Sequence, residues 1–121
     1  WEGVTNYLSE GAVSAVLHDV AAFNASLVFT YVHADAVSGR FDSPGLPGLL
    51  RELRRIGEPW TFGLKPESLG EYLAAHGLRR RADLGADEYR ALYRRRSRPA
   101  GQEGYEFYRV VLAEAIHAAR D

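Results

Sequence analysis

Apolar positions first recur at helical spacing early in the chain, and the residues that carry this period are Val13, Val16, Leu17 and Val20. Ser9 stands where its side chain can cap such a helix. Glu10 follows in the first turn, where a carboxylate interacts favourably with the helix dipole. The pattern predicts an amphipathic helix that ends near Asn24.

A short β-branched and aromatic run comes next, reading Ser-Leu-Val-Phe-Thr-Tyr-Val-His at residues 26–33. Because the run has no formal charge inside it, it predicts a strand that is buried on both faces. A helix precedes this strand, and we therefore expect the early part of the sheet to be parallel.

The middle of the chain alternates irregular and periodic segments. Residues 35–48 are rich in Gly, Pro, Asp and Ser and predict a long irregular connection. Leucines at positions 46, 49, 50 and 53 predict a second helix. Pro66 suits the first position of a third helix, which Gly77 can close as a left-handed cap.

Two further strands are predicted near the end of the chain. The first alternates apolar and polar positions over residues 78–84, and the second is a β-like run over residues 105–115. A brief helix at 89–93 and a basic loop at 94–104 separate them. Such strands are easier to pair antiparallel than parallel, although the helix also permits a crossover. The predicted fold is therefore an α/β domain with a mixed sheet, parallel in its early strands and with a final antiparallel strand.

Composition narrows the class of protein. A chain of 121 residues with 46% apolar content can build one domain with its own core. With 15 basic and 16 acidic side chains, nothing global predicts a nucleic-acid or anionic-membrane partner. The absence of cysteine excludes disulfides and suits a reducing cytoplasm. No apolar run approaches the roughly 20 residues of a membrane span, so we expect a cytoplasmic, soluble protein.

Three segments carry a resemblance to a known family. They are Trp-Glu-Gly-Val-Thr-Asn-Tyr-Leu at residues 1–8, Gly-Glu-Pro-Trp-Thr-Phe-Gly-Leu at 57–64 and Tyr-Arg-Val-Val-Leu-Ala-Glu at 108–114. In this order, along nearly the whole chain, they resemble the C-terminal half of the leucine carboxyl methyltransferase-like family. Its bacterial members are class I O-methyltransferases that use S-adenosyl-L-methionine and are often linked to secondary metabolism.

The resemblance implies a fold and an activity. The fold would be the C-terminal half of a Rossmann-like class I methyltransferase sheet, with residues 1–121 forming a single subdomain. The activity would be methyl transfer from S-adenosyl-L-methionine to a carboxylate or hydroxyl of a small-molecule or peptide acceptor. No Gly-x-Gly loop lies between a strand and a helix, so the main cofactor-binding half is expected to be missing, and the isolated chain to be inactive.

The opening octet supplies the cofactor residues that the resemblance implies. Glu2 would accept a hydrogen bond from the cofactor's amino group, in an interaction that contributes about 1.5–3 kcal/mol. Gly3 would let the cofactor approach the backbone, and Val4 follows in the same segment. The alternative for Glu2 is a terminal side chain with no role.

Five residues are candidates for contacts with the methyl acceptor. Tyr7 and His33 are the candidate catalytic groups: the phenol could donate a hydrogen bond, and the imidazole could act as a general base. Asn6, Tyr31 and Trp60 are candidate acceptor contacts. Each also has a structural alternative, as a helix entry, strand end or packed side chain.

Other chemistry is less well supported. The four histidines are too scattered for a helical metal-binding pair, so no metal site is expected. The arginine clusters at residues 79–81 and 94–98 have acidic neighbours and are expected to be solvated. The rival hypothesis is a non-catalytic binding or assembly module, whose exposed half sheet would be covered by the missing N-terminal half or by self-association.

Overall fold

The computed structural model describes residues 1–93 and 106–117, leaving out the side chains of Arg90 and Tyr93. The predicted basic loop at 94–104 lies outside these ranges, as does the first residue of the predicted last strand. The α-helices and β-strands of the described residues are, in chain order, α1 (Glu10–Ala22), β1 (Ser26–Val32), α2 (Ala34–Val37), α3 (Leu46–Arg55), α4 (Leu69–Ala75), β2 (Leu78–Gly85), α5 (Ala86–Tyr93) and β3 (Tyr108–Ala115). Short 3₁₀ helices cover Thr5–Tyr7 and Pro66–Ser68.

The three strands form one sheet in the order β1-β3-β2. The last strand, β3, lies in the middle and pairs antiparallel with both neighbours. Tyr31 of β1 and Gly85 of β2 both stand opposite Arg109 of β3. The prediction that the two late strands pair antiparallel is therefore confirmed.

The prediction of a Rossmann-like mixed sheet with parallel early strands is wrong. Every strand pairing in the described part of the chain is antiparallel. A helix before an apolar strand predicts a parallel neighbour, but the strand that pairs with β1 is β3, which runs in the opposite direction. One isolated parallel bridge joins His33 to Leu64, and it does not extend into a strand.

The burial of β1 also differs from the prediction. Phe29 and Tyr31 are fully buried, whereas Val28, which precedes both in the strand, is 54% exposed. Successive side chains of a strand point to opposite faces, so the first part of β1 is covered on one face only. An uncharged β-branched run does not by itself distinguish this arrangement from burial on both faces.

A register shift changes which residues of β2 share a face. Arg80 pairs with Ala113 and Ala82 pairs with Leu112, so Arg81 is an extra residue on this strand. After such a bulge the side chains exchange faces. Asp83 consequently lies on the same face as Arg80, which strict alternation does not predict.

The core has two parts. Helices α1 and α4 cover the sheet face that carries Phe29 and Tyr31, and Leu17 and Leu73 are buried there. The second part lies around α2 and α3, where Leu50 packs in one cluster with Trp60 and other apolar side chains. This division leaves the opposite face of the sheet, around Val28, partly open.

Local signals place the helix ends. Ser9 caps α1, as predicted, because its hydroxyl accepts a hydrogen bond from the backbone N–H of Ala12 at 3.2 Å. Gly77 follows α4 with a φ of 77°, the left-handed conformation expected of a closing glycine. The connection at 35–48 is not wholly irregular, since α2 occupies its start. Within the described ranges, every helix is too short or too polar to cross a membrane.

Candidate functional site

A cavity of about 400 Å³ lies where the opening segment meets the sheet. The residues that line it are Glu2, Gly3, Thr30, Tyr89, Tyr108, Arg109 and Val110. Its volume falls within the range of small-molecule sites. We call it the Glu2 cavity.

Gly3 anchors the opening segment at this cavity. Its backbone N–H donates to the hydroxyl of Thr30 at 2.8 Å. Its φ of 68° lies in the left-handed region, and a Cβ built there would meet nothing within 4 Å. Conformation rather than crowding therefore favours glycine, and the backbone stays open to a ligand.

The cavity lies on the sheet face opposite the α1 and α4 core. Thr30 pairs with Val110 and Val32 pairs with Tyr108, so these side chains share one face. Arg109 stands between Tyr108 and Val110 in the strand, and its side chain points to the other face.

The side chain of Arg109 belongs to a buried network behind the cavity. Its Nε donates to Asp83 at 3.0 Å, and Nη2 donates to the backbone oxygen of Asp83 at 3.3 Å. The phenol oxygen of Tyr31 lies 3.0 Å from each oxygen of the same carboxylate. A fully buried phenol, a carboxylate and a guanidinium therefore satisfy one another across three strands.

This network shifts two pKa values. Burial, and then the neighbouring charge of Asp83, raise the pKa of Tyr31 well above its ordinary value. Burial lowers the pKa of Arg109, but its hydrogen bond to Asp83 and the carboxylate charge raise it by more. The phenol stays protonated, and the guanidinium stays charged and bound to Asp83.

The three predicted cofactor residues are consecutive in the sequence, but they lie in different surroundings in the structure. Glu2 and Gly3 both line the cavity, and both are exposed. Val4 is 39% exposed and is not among the lining residues. The carboxylate of Glu2 is thus available to a ligand in the cavity.

The next two predicted site residues, Asn6 and Tyr7, lie in different surroundings. Tyr7 is 41% exposed and lines a different cavity of about 470 Å³, together with Glu58 and Thr61. Asn6 is 1% exposed, and its backbone oxygen accepts a hydrogen bond from the N–H of Thr61 at 2.8 Å. Among the described residues its side-chain amide has no hydrogen-bond partner. Asn6 therefore joins the opening segment to the 57–64 segment.

His33 caps α2. Its Nδ1 accepts a hydrogen bond from the backbone N–H of Asp35 at 3.1 Å, and its ring lies 5.3 Å from that of Phe41. With Nδ1 used in this way, the neutral ring carries its proton on Nε2. This geometry favours a structural role over that of a general base.

Trp60 and Tyr31 lie in the core. The indole of Trp60 is 7% exposed and packs edge-on against the rings of Phe107 and Tyr108, with centroids 5.6 and 5.8 Å away. Tyr31 is fully buried against Asp83. Neither side chain is available to an acceptor in this arrangement.

Sequence reasoning missed most of the lining of the Glu2 cavity. Thr30 and Val110 belong to runs whose apolar pattern predicts only burial, and Tyr89 and Tyr108 come from two different elements, α5 and β3. A usable signal was a pair of tyrosines, Tyr89 in the brief predicted helix and Tyr108 inside the last predicted strand. Within the described residues, no group of three or more potential ligands could hold a metal ion.

Comparisons with known proteins do not add to these observations. No protein-family model matches this chain, and no curated protein matches it. The family resemblance therefore rests on the three sequence segments alone.

Proposed function

We propose that this chain belongs to an S-adenosyl-L-methionine-dependent O-methyltransferase that acts on a carboxylate or hydroxyl of a small-molecule or peptide acceptor. The observation that carries the proposal is the position of Glu2 and Gly3 at a cavity of about 400 Å³. These residues belong to the opening segment of the resemblance, residues 1–8. The proposal does not depend on a parallel sheet.

The lining residues suit part of the cofactor. The exposed carboxylate of Glu2 can accept a charge-assisted hydrogen bond from an ammonium group, an interaction of about 1.5–3 kcal/mol. Gly3 leaves its backbone accessible, and its hydrogen bond to Thr30 holds the segment in place. These residues bind and orient one end of the molecule.

Methyl transfer mainly requires that the acceptor oxygen and the methyl group are aligned. When bound, the cofactor supplies an activated methyl group: an oxygen electron pair forms the new C–O bond, while the S–CH₃ electron pair stays on sulfur. Holding acceptor and methyl group in line supplies most of the rate. An ionised carboxylate acceptor needs no base, which agrees with the structural position of His33.

The test is a ¹H–¹⁵N spectrum of the 121-residue protein titrated with S-adenosyl-L-methionine. A ligand held by few contacts is expected to bind with a Kd of about 1 mM, corresponding to about 4 kcal/mol. We expect shifts at the amides of Gly3 and Thr30. Glu2→Gln should weaken binding by roughly tenfold, because it removes the charge.

Glu71→Gln is the matched control, because Glu71 is an exposed carboxylate on α4 and lies outside the cavity. It should leave the titration unchanged. The proposal would be overturned if the cavity amides did not shift at a cofactor concentration about tenfold above the expected Kd of about 1 mM. Equal effects of Glu2→Gln and Glu71→Gln on binding would also overturn it.

A non-catalytic assembly module is the second candidate. It is favoured by the open sheet face, where Val28 is 54% exposed, and by Phe23, which is 83% exposed at the end of α1. Sedimentation velocity separates the two functions. A concentration-dependent dimer that Val28→Lys abolishes, without any cofactor-induced shift, would support the module.

For the cellular compartment we propose the cytoplasm, since a chain without cysteine suits a reducing environment.

A further inference from the structure

Two aromatic side chains share the Glu2 cavity with the carboxylate. Tyr89 comes from α5 and is half-buried, and Tyr108 comes from the first position of β3. They are 19 residues apart in sequence, and only the pairing of β3 with β1 and β2 brings them to one cavity. The lining residues thus include one acidic residue and two tyrosines.

The charge that the described lining presents to the cavity is negative. Arg109 is the cationic residue among the lining, but its guanidinium lies on the opposite face, bound to Asp83. That pair is neutral overall. Glu88, next to Tyr89 in α5, does not line the cavity, and its carboxylate accepts a hydrogen bond from the backbone N–H of Gly85 at 2.8 Å.

This combination has a specific chemical preference. The face of a phenol ring attracts an organic cation, and a carboxylate adds a direct charge interaction. A sulfonium or a quaternary ammonium is weakly hydrated at its surface and loses little on entering such a site. A neutral thioether of the same shape gains neither attraction.

We propose that the Glu2 cavity is a site for organic onium cations, in which Tyr89 and Tyr108 recognise the sulfonium charge of S-adenosyl-L-methionine. The proposal rests on the proposed function for the identity of the ligand. Its consequence is that the cavity distinguishes the cofactor from S-adenosyl-L-homocysteine, the neutral thioether that remains after transfer. The product then leaves more easily than the reactant.

The first experiment compares the two molecules by titration of the 121-residue protein, followed by ¹H–¹⁵N spectra. We expect S-adenosyl-L-methionine to bind roughly fivefold more tightly than S-adenosyl-L-homocysteine. Tyr89→Leu should reduce that ratio to about twofold, and Tyr89→Phe should preserve it because the ring remains. Leu92→Ala is the matched control and should change nothing, because Leu92 lies on the same helix as Tyr89, is 67% exposed and does not line the cavity.

The outcomes separate this inference from the proposed function. Equal binding of the two molecules would overturn the inference and leave methyl transfer standing. Binding of neither would overturn the proposed function, and trimethylsulfonium then tests the cavity by itself. Shifts at Tyr89 and Tyr108 with that ion, lost in Glu2→Gln, would uphold the onium site, and their absence would overturn it.

Tyr89→Leu removes a half-buried side chain, so its folding is checked first. Circular dichroism and the thermal midpoint should match those of the parent protein. Where they do not, Tyr89→Phe and the trimethylsulfonium titration decide. A preserved ratio in Tyr89→Phe, together with shifts at Tyr89 and Tyr108 caused by trimethylsulfonium, supports the proposal. Loss of the ratio in Tyr89→Phe, or absence of these shifts, contradicts it.

Discussion

The phenol oxygen of Tyr31 lies 3.0 Å from both carboxylate oxygens of Asp83, although their strands do not pair with each other. β3 separates the two strands, and the contact passes over its surface. It depends on the extra residue at Arg81, which turns Asp83 toward the buried face. A local irregularity in β2 therefore creates the network that holds the Arg109 side chain.

Removal of the carboxylate should destabilise the protein. Asp83→Ala leaves Arg109 without its charge partner, and we expect a loss of about 2–4 kcal/mol in the free energy of unfolding. This expected loss lies at the low end of the range for buried ion pairs because 22% of the Arg109 side chain is exposed. Tyr31→Phe removes one hydrogen bond and should cost about 1 kcal/mol. Urea unfolding measures both.

Asp42→Asn is the matched control for these variants, because Asp42 is an exposed carboxylate. It should change the free energy of unfolding by no more than about 0.5 kcal/mol. A cost of Asp83→Ala as small as that of the control would show that the network adds no stability.

The raised pKa of Tyr31 predicts a loss of stability at alkaline pH. An unfolded tyrosine ionises near pH 10, whereas burial, followed by the charge of Asp83, keeps the folded phenol protonated. The stabilisation is fully present below about pH 10 and is lost as the pH rises further, because only the unfolded state releases the proton. The slope is at most about 1.4 kcal/mol per pH unit for one group.

The measurement is urea unfolding between about pH 8 and pH 11, in the parent protein and in Tyr31→Phe. The difference between the two curves should shrink above about pH 10, since the variant lacks this phenol. A constant difference across the range would contradict the prediction. Tyr72 also has a raised pKa, caused by burial and then by the charge of Glu10, so Tyr31→Phe removes only part of the decline.

Local patterns in the sequence predicted most elements of the fold and the antiparallel pairing of the two late strands, but not the direction in which β1 pairs. The cap at Ser9 and the left-handed Gly77 depend on neighbouring residues, and both were predictable. The direction of pairing depends on β3, which begins 76 residues after the end of β1. No local period carries that information, so the parallel sheet was a wrong prediction.

The candidate site was predictable only in its opening segment. Glu2 and Gly3 came from a family resemblance, and the structure places both at one cavity. Tyr31, at a predicted strand end, and Trp60, in the segment after Pro59, were candidates because an aromatic side chain can line an acceptor pocket, but the same property lets them pack in a core. Only the tertiary structure distinguishes the two uses.

Two histidines should carry their protons on different ring nitrogens. Nδ1 of His76 lies 2.7 Å from the backbone oxygen of Tyr72, which can only accept, so this nitrogen carries the proton. Its Nε2 lies 2.7 Å from the hydroxyl of Ser14, which then donates. In His33 the arrangement is reversed, because Nδ1 accepts from the N–H of Asp35.

Long-range ¹H–¹⁵N correlation spectra distinguish the two tautomers of a neutral imidazole. We expect the Nδ1–H form in His76 and the Nε2–H form in His33. Ser14→Ala should leave the tautomer of His76 unchanged, because the carbonyl of Tyr72 sets it. The same tautomer in both rings would contradict one of the two hydrogen bonds.

Two glycines should respond oppositely to replacement by alanine. A Cβ at Gly63 would lie 2.7 Å from Cα of Ala34 and 2.9 Å from Cγ2 of Val37, and the first of these is backbone that cannot turn away. We expect Gly63→Ala to cost about 1–3 kcal/mol, because α2 must shift from the 57–64 segment. Gly48 lies in α3 with only a side-chain atom of Arg51 at 3.8 Å, so Gly48→Ala should stabilise by up to about 1 kcal/mol. Thermal and urea unfolding of the two variants measure the contrast, and a neutral Gly63→Ala would show that α2 is not held closely against this segment.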